Sequence, residues 1–239
     1  MCDVADHNTP SPALVAAIHS AMMTAYAGAW NAHQAKSYLN QHLPALLKDR
    51  AAEDIRSPDL AIAGPAIEVL RYVLHEPVLA TMLAQLLAIS IDVHRLPHAH
   101  PAFVRVIANL CADEARMLAY FLKDEPLSLI NLRWDYKADS NKQGGKEVLQ
   151  NFSHLALRAQ CQHPQLCATY IDNLCRLGLV EIPPFYQYLD DSYDEIEADP
   201  LVRSLVADIE SSQERIATIE RKGLRITTMG KQPIQTCLR

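Results

Sequence analysis

The residues best equipped for chemistry lie in one short stretch, where Asp92, His94, His98 and His100 fall within nine positions. Imidazole and carboxylate together suit zinc or a similar divalent metal. Their spacing fits no closed zinc pattern, and a solvated turn with capping histidines explains the same residues, so no metal is assigned. His75-Glu76 begins like HExxH, but Leu79 stands where the second histidine belongs. The acidic run Asp190, Asp191, Asp194, Glu195, Glu197 and Asp199 could hold a hard cation, yet such runs more often lead into a helix N-terminus. Gly144-Gly145-Lys146 evokes a phosphate loop, but Ser140 fills the first glycine position and Glu147 replaces the magnesium-binding Ser or Thr. Cys161, Cys167 and Cys175 are candidate nucleophiles; Cys167 and Cys175, eight apart on one helix, read as packing residues. Neither GxGxxG nor GxSxG occurs. The expectation is a protein that is not an enzyme and needs no cofactor.

The elements that would position these residues are mostly helices. The chain is rich in Ala and Leu and has only 7 Gly in 239 residues, a helix-favouring balance. The centre of the arrangement is Val78–Ile91, uncharged and apolar on almost every side. A run this short cannot span a bilayer, which takes about 20 residues, so it is expected to be a buried central helix. Before it, Ser11-Pro12 opens a helix carrying Leu14, Ile18, Met22, Tyr26 and Trp30 on one face and running to about Tyr38. Pro44 breaks that run or starts a new turn, and Gly64-Pro65 is expected to bend the next. After it come a helix from Pro101 to Cys111 and another led by Asp113 and Glu114.

The pattern changes after Lys123. Leu127–Trp134 alternates and reads as a strand, whereas Val148–Leu157 could be strand or helix. Pro164–Leu177 is a helix with Leu166, Tyr170, Leu174 and Leu177 along its stripe, stopped by Gly178. Leu179–Ile182 is a strand. Pro200–Glu220 is expected as one long amphipathic helix with Leu201, Leu205, Ile209, Ile216 and Ile219 inward. Leu224–Thr227 is a strand and Met229–Leu238 a closing helix. The resulting architecture is mainly α: a helical region, residues 1–100, packed on a winged-helix-like region, residues 101–239. A helical insertion at about 185–220 separates the wing strands.

Bulk properties narrow the function. A net charge of -6 argues against broad, non-specific nucleic-acid binding. The six Cys form no CxxC pair and read as reduced thiols, and residues 1–10 lack the features of a signal peptide, so a cytoplasmic protein is expected. A local basic patch remains: the final twenty residues hold Arg221, Lys222, Arg225, Lys231 and Arg239 against Glu220. With Arg176 on the expected reading helix, Arg221, Lys222, Arg225 and Lys231 are the residues that could touch DNA or a partner. The apolar stripe of the first helix lacks Lys and Arg on its polar face, which favours packing or self-association over a membrane surface.

Several pieces occur together in one order: Gly64-Pro-Ala-Ile-Glu-Val-Leu-Arg-Tyr72, Leu83–Asp92, His100-Pro-Ala-Phe-Val104 and Ala112–Leu118, then Asn173–Glu181 and Ile226–Cys237. This series resembles the abortive-infection alpha (Abi-alpha) family of bacteria from about Pro58 onward. The family's usual Ser-Pro before the acidic pair is Cys111-Ala112 here, which should weaken a helix cap, and its aromatic near the terminal helix is replaced around Pro233-Ile234. The resemblance implies a cytosolic protein that defends against bacteriophage by stopping growth of the infected cell; it carries over no active site. The expected function is therefore a non-enzymatic defence component acting through a protein partner or self-association. The alternative is a winged-helix DNA-binding regulator.

Overall fold

A computed structural model describes residues 9–28, 33–123, 125, 127–189 and 191–238. Trp30, Asp190 and Arg239 lie outside the described residues. The chain divides into two compact units, Met1–Ala115 with Gln232–Arg239, and Arg116–Lys231.

The first unit holds α1 (Pro12–Gly28), α2 (His33–Leu46), α3 (Leu60–Val73), α4 (Pro77–Ile91) and α5 (Ala102–Ala108). Ser11 caps α1, its Oγ accepting the Leu14 N–H at 3.1 Å. Leu14, Ile18, Met22 and Tyr26 are buried along one stripe. The Tyr26 hydroxyl donates to Asn40 Oδ1 at 3.0 Å, tying α1 to α2. Pro44 sits inside α2 without ending it, because Ala35, Leu39 and Leu43 hold that helix to the core. Gly64-Pro65 does not end α3 either. Pro65 costs the hydrogen bond to the Ala61 carbonyl, one turn from the N-terminus, while buried Ile62, Ala66, Ile67 and Leu70 keep the helix seated.

Eleven of the fifteen residues of α4 are buried, and α2, α3 and α5 all pack on it. Each fully buried Leu, Ile or Met contributes about 2 kcal/mol of transfer free energy, so this helix organises the unit. Because α5 packs on α3 and α4, it belongs to the same compact unit, which runs to Ala115.

Next comes α6 (Ala112–Tyr120), inside which the units divide. Cys111 still caps it, with a weaker acceptor than a serine would supply. The Cys111 N–H donates to Glu114 Oε2 at 2.7 Å, and the Glu114 N–H donates to Cys111 Sγ at 3.4 Å. This is a capping box with sulfur in place of a hydroxyl.

The second unit continues with β1 (Ser128–Tyr136), β2 (Gly145–Phe152), α7 (Leu155–Arg158), α8 (Cys167–Arg176), β3 (Val180–Glu181), α9 (Asp194–Glu197) and α10 (Pro200–Glu210). It closes with β4 (Arg215–Gly223), β5 (Arg225–Ile226) and α11 (Thr228–Cys237), inside which the units divide again. Val148–Leu157 is thus both strand and helix. The expected helix Pro200–Glu220 ends at Glu210, and its last third is a strand. The Ser211 hydroxyl donates to the Asp208 carbonyl at 2.7 Å, closing α10, and the Ser212 Oγ accepts the Glu214 N–H at 3.4 Å in the turn that follows. From there Ile216 and Ile219 belong to β4, which pairs antiparallel with β1 from Ser128↔Gly223 to Tyr136↔Arg215.

Two antiparallel sheets result, in the orders β2-β1-β4 and β3-β5. The chain between β3 and β5 contains α9, α10 and β4, so the segment dividing the two wing-like strands is mixed rather than purely helical. The core beneath the larger sheet is Ile130, Tyr193, Ile196 and Val202, with Leu149, Phe152, Val206 and Ile219 against it. Tyr193 is wholly buried; its hydroxyl donates to the Lys222 carbonyl at 2.8 Å and accepts the Tyr188 N–H at 3.0 Å. The fold is mainly helical with a small antiparallel sheet.

Candidate functional site

A concave surface with an apolar lining lies in the second unit, a groove of about 340 Å³. Leu149 and Phe152 of β2, Leu157 of α7, Cys167 and Ala168 of α8, and Leu201 of α10 line it. Leu157 is 59% exposed and Leu201 49% exposed. Leu201, expected inward on α10, lies at the surface, and Val202 beside it is buried in its place; Ile209 is buried as expected. Likewise the stripe of α8 buries Cys167, Tyr170, Ile171 and Leu174, leaving Leu166 43% exposed.

One wall of the groove is held by charge. His154 Nε2 lies 2.9 Å from Asp199 Oδ2, and Asp199 Oδ1 accepts the Leu201 N–H at 2.8 Å as the N-cap of α10. Burial works against the Asp199 charge, but the His154 ring and the Leu201 and Val202 N–H groups outweigh it and hold the carboxyl below its ordinary value. Arg158 binds Glu195 at 2.5 Å and lowers its carboxyl in the same way. Ser153 Oγ donates to the Ser128 carbonyl at 2.8 Å and accepts the Leu155 N–H at 3.2 Å, a structural use of the hydroxyl. Sequence spacing offered no signal for the His154–Asp199 pair, because its members are 45 residues apart.

The Cys167 thiol lines the groove but is pushed up to about 11 by burial, which suppresses the thiolate a nucleophile needs. Cys175 is raised too, by burial first and then by Asp172 and Glu181.

The basic residues are largely spent on local partners. Arg221 Nε lies 2.6 Å from Glu197, Lys222 Nζ 3.2 Å from Glu220, and Arg225 2.7 Å from Glu181. Arg176 donates twice to Asn173 Oδ1, at 2.9 and 2.7 Å. Arg221 also lies over the Tyr193 ring and Arg225 over Tyr186. Lys231 is exposed. A surface that reads phosphate presents cations to solvent; here carboxylates in the same fold neutralise three of them.

The histidine turn is also divided among local contacts. Asp92 is fully buried, with Arg50 Nε 2.8 Å from its Oδ2, while its Oδ1 accepts the His94 N–H at 3.0 Å. His94 Nε2 pairs with Asp54 at 3.0 Å, and His100 Nδ1 accepts the Ala102 N–H at 3.1 Å. Among the described residues, no group of three or more His, Cys, Asp or Glu is placed to hold a metal ion. Nor is any helix among them long and apolar enough to cross a membrane.

The family described as abortive infection alpha, Abi_alpha, matches residues 33–237. The chain belongs to this family. No curated protein matches it. Among solved structures, this Abi_alpha member is similar to an uncharacterized protein from the hydrocarbon-degrading marine bacterium Alcanivorax borkumensis SK2. The two share 27% identity over 56% of this chain and 91% of that one, with a TM-score of 0.38.

Proposed function

We propose that this Abi_alpha protein is a non-enzymatic component of antiphage defence in the cytoplasm, and that it works by holding a partner protein. The observation that supports this reading is the apolar groove of α7, α8 and α10, open to solvent and rimmed by Leu157 and Leu201. Exposed apolar surface of this kind is costly unless something covers it, and apolar anchors at the centre of an interface supply most of its affinity. The groove offers no activated nucleophile, since its thiol is held protonated by burial.

The test is a phage challenge of cells carrying the intact gene or the double variant Leu157→Asp, Leu201→Asp. Both positions are substantially exposed, so the variant should fold and keep its circular dichroism and melting temperature while protection is lost. Full protection by the folded variant would defeat the docking reading. Turnover of nucleotide or nucleic acid by the purified protein, abolished by one substitution, would defeat the non-enzymatic reading.

A further inference from the structure

The first unit contains a second cavity, of about 420 Å³, built where the end of α4 and the turn after it meet the last turns of α11. Its polar lining is His94, Arg95, His98 and His100 from the turn, and Gln232, Gln235 and Thr236 from α11. Among the described residues, no Asp or Glu lines it. Of the carboxylates around the turn, Asp92 is paired with Arg50, and Asp54 with the lining residue His94.

Arg95 is the unusual member. It is half-buried, and among the described residues its guanidinium makes neither a hydrogen bond nor an ion pair. Its charge acts on the Cys237 thiol, but burial pushes that thiol up to about 12, so it stays neutral and offers no counter-charge. A half-buried arginine with no acceptor is costly, and its planar fork of donors matches phosphate or carboxylate oxygens.

The turn carrying it is fixed before any ligand arrives. The Arg95 and Leu96 N–H groups donate to the Asp92 carbonyl at 3.1 and 2.9 Å, and the His98 N–H donates to the Arg95 carbonyl at 2.9 Å. His100 uses Nδ1 as an acceptor for Ala102, which leaves Nε2 as the donor of the neutral ring. Gln232 and Gln235, three apart on α11, share one helix face and add amide groups able both to donate and to accept. The volume falls in the ordinary range for small organic ligands, about 300–1,000 Å³.

We propose that this cavity binds a phosphate-bearing small molecule of mononucleotide size, with Arg95 as the anchor for its phosphate. The site lies outside the docking groove, and the proposal stands without that reading.

Titration calorimetry on the full chain tests it, with adenosine and guanosine monophosphates, inorganic phosphate and adenosine as probes. At least one monophosphate should bind in the micromolar to low millimolar range. Arg95→Ala should weaken it about tenfold or more, the loss of a charge-assisted contact. Gln235→Glu, which places a carboxylate at the wall, should weaken it too, while Arg203→Ala on α10 should not. Gln235 is exposed, so that variant carries the test if Arg95→Ala fails to fold. Phosphate binding as well as the nucleotides supports the anchor and reduces the ligand to the anion. No binding of phosphate or either monophosphate at millimolar concentration, equal binding by Arg95→Ala, or adenosine binding as tightly as its monophosphate, each overturns the proposal.

Discussion

Asn131 Oδ1, on buried β1, accepts the backbone N–H of Asn151 at 2.9 Å, where β2 leaves its register. Asn151 has a φ of 48°, the left-handed region that asparagine tolerates better than most residues. The Asn131 amide also donates to Glu147 at 2.9 Å, and Asn151 Nδ2 donates to Asp172 of α8 at 2.9 Å. One side chain thus fixes the irregularity that brings β2 to α8 and shapes one edge of the groove. Asn131→Ala leaves the Asn151 N–H without its acceptor and should cost about 2 kcal/mol, read from the urea midpoint.

Asp199 gives the second unit a pH dependence of known sign. Its carboxyl lies lower in the folded chain than in the unfolded one, where it is about 3.9. Its contribution is therefore complete above that value and disappears as pH falls through the lower, folded one. Asp199→Ala should cost about 1 kcal/mol at pH 7 through the lost cap, and the gap to the parent should narrow in strong acid. Asp199→Asn, which keeps an N-cap acceptor, should recover part of the loss at pH 7. Urea titrations of all three proteins at pH 7 and near pH 2 measure both effects.

Two glycines on helices should respond to alanine very differently. A Cβ on Gly230 would sit 2.0 Å from the Leu179 carbonyl oxygen. That backbone atom also accepts the Thr227 N–H at 3.0 Å and is not free to retreat. Gly230→Ala should destabilise by about 3 kcal/mol. Beyond its chain neighbours, a Cβ on Gly64 would meet nothing within 4 Å, but Pro65 crowds the Cβ of a helical residue before it and offsets the gain in backbone entropy, so Gly64→Ala should change stability by less than about 0.5 kcal/mol. Thermal melts of the two variants measure the difference.

Thiol reactivity should separate the cysteines. Cys167 and Cys237 are buried and pushed up to about 11 and 12, whereas Cys111 is exposed, although burial of its sulfur raises it as well. Alkylation of the native protein at pH 8, followed by peptide mass mapping, should mark Cys111 well before the other two. Unfolding in urea should abolish the difference.

These elements differ in how readily the chain announces them. α4 is legible because an unbroken apolar run flanked by Glu76-Pro77 and Asp92 admits little else, and β1 because its alternation is short and bounded. β4 was hidden. Ile209, Ile216 and Ile219 keep a helical spacing across Ser211-Ser212, so a period-2 strand borrowed the phase of the helix before it. The groove was hidden for a related reason: Leu201 and Val202 are adjacent and both apolar, and only the packing of α10 decides which turns inward. The family resemblance was readable because it rests on the order of many weak pieces. The partners of Arg221, Lys222 and Arg225 were not, except for nearby Glu220, since Glu197 and Glu181 are 24 and 44 residues distant.

Residues 232–239 return to the unit that α1 begins, and they bring the buried Ile234 and Cys237 with them. On the ribosome, everything from Arg116 to Lys231 must emerge before that closing segment does. The first unit is therefore held incomplete until residues 116–231 have been synthesised, so its final packing is a late step in folding of the chain.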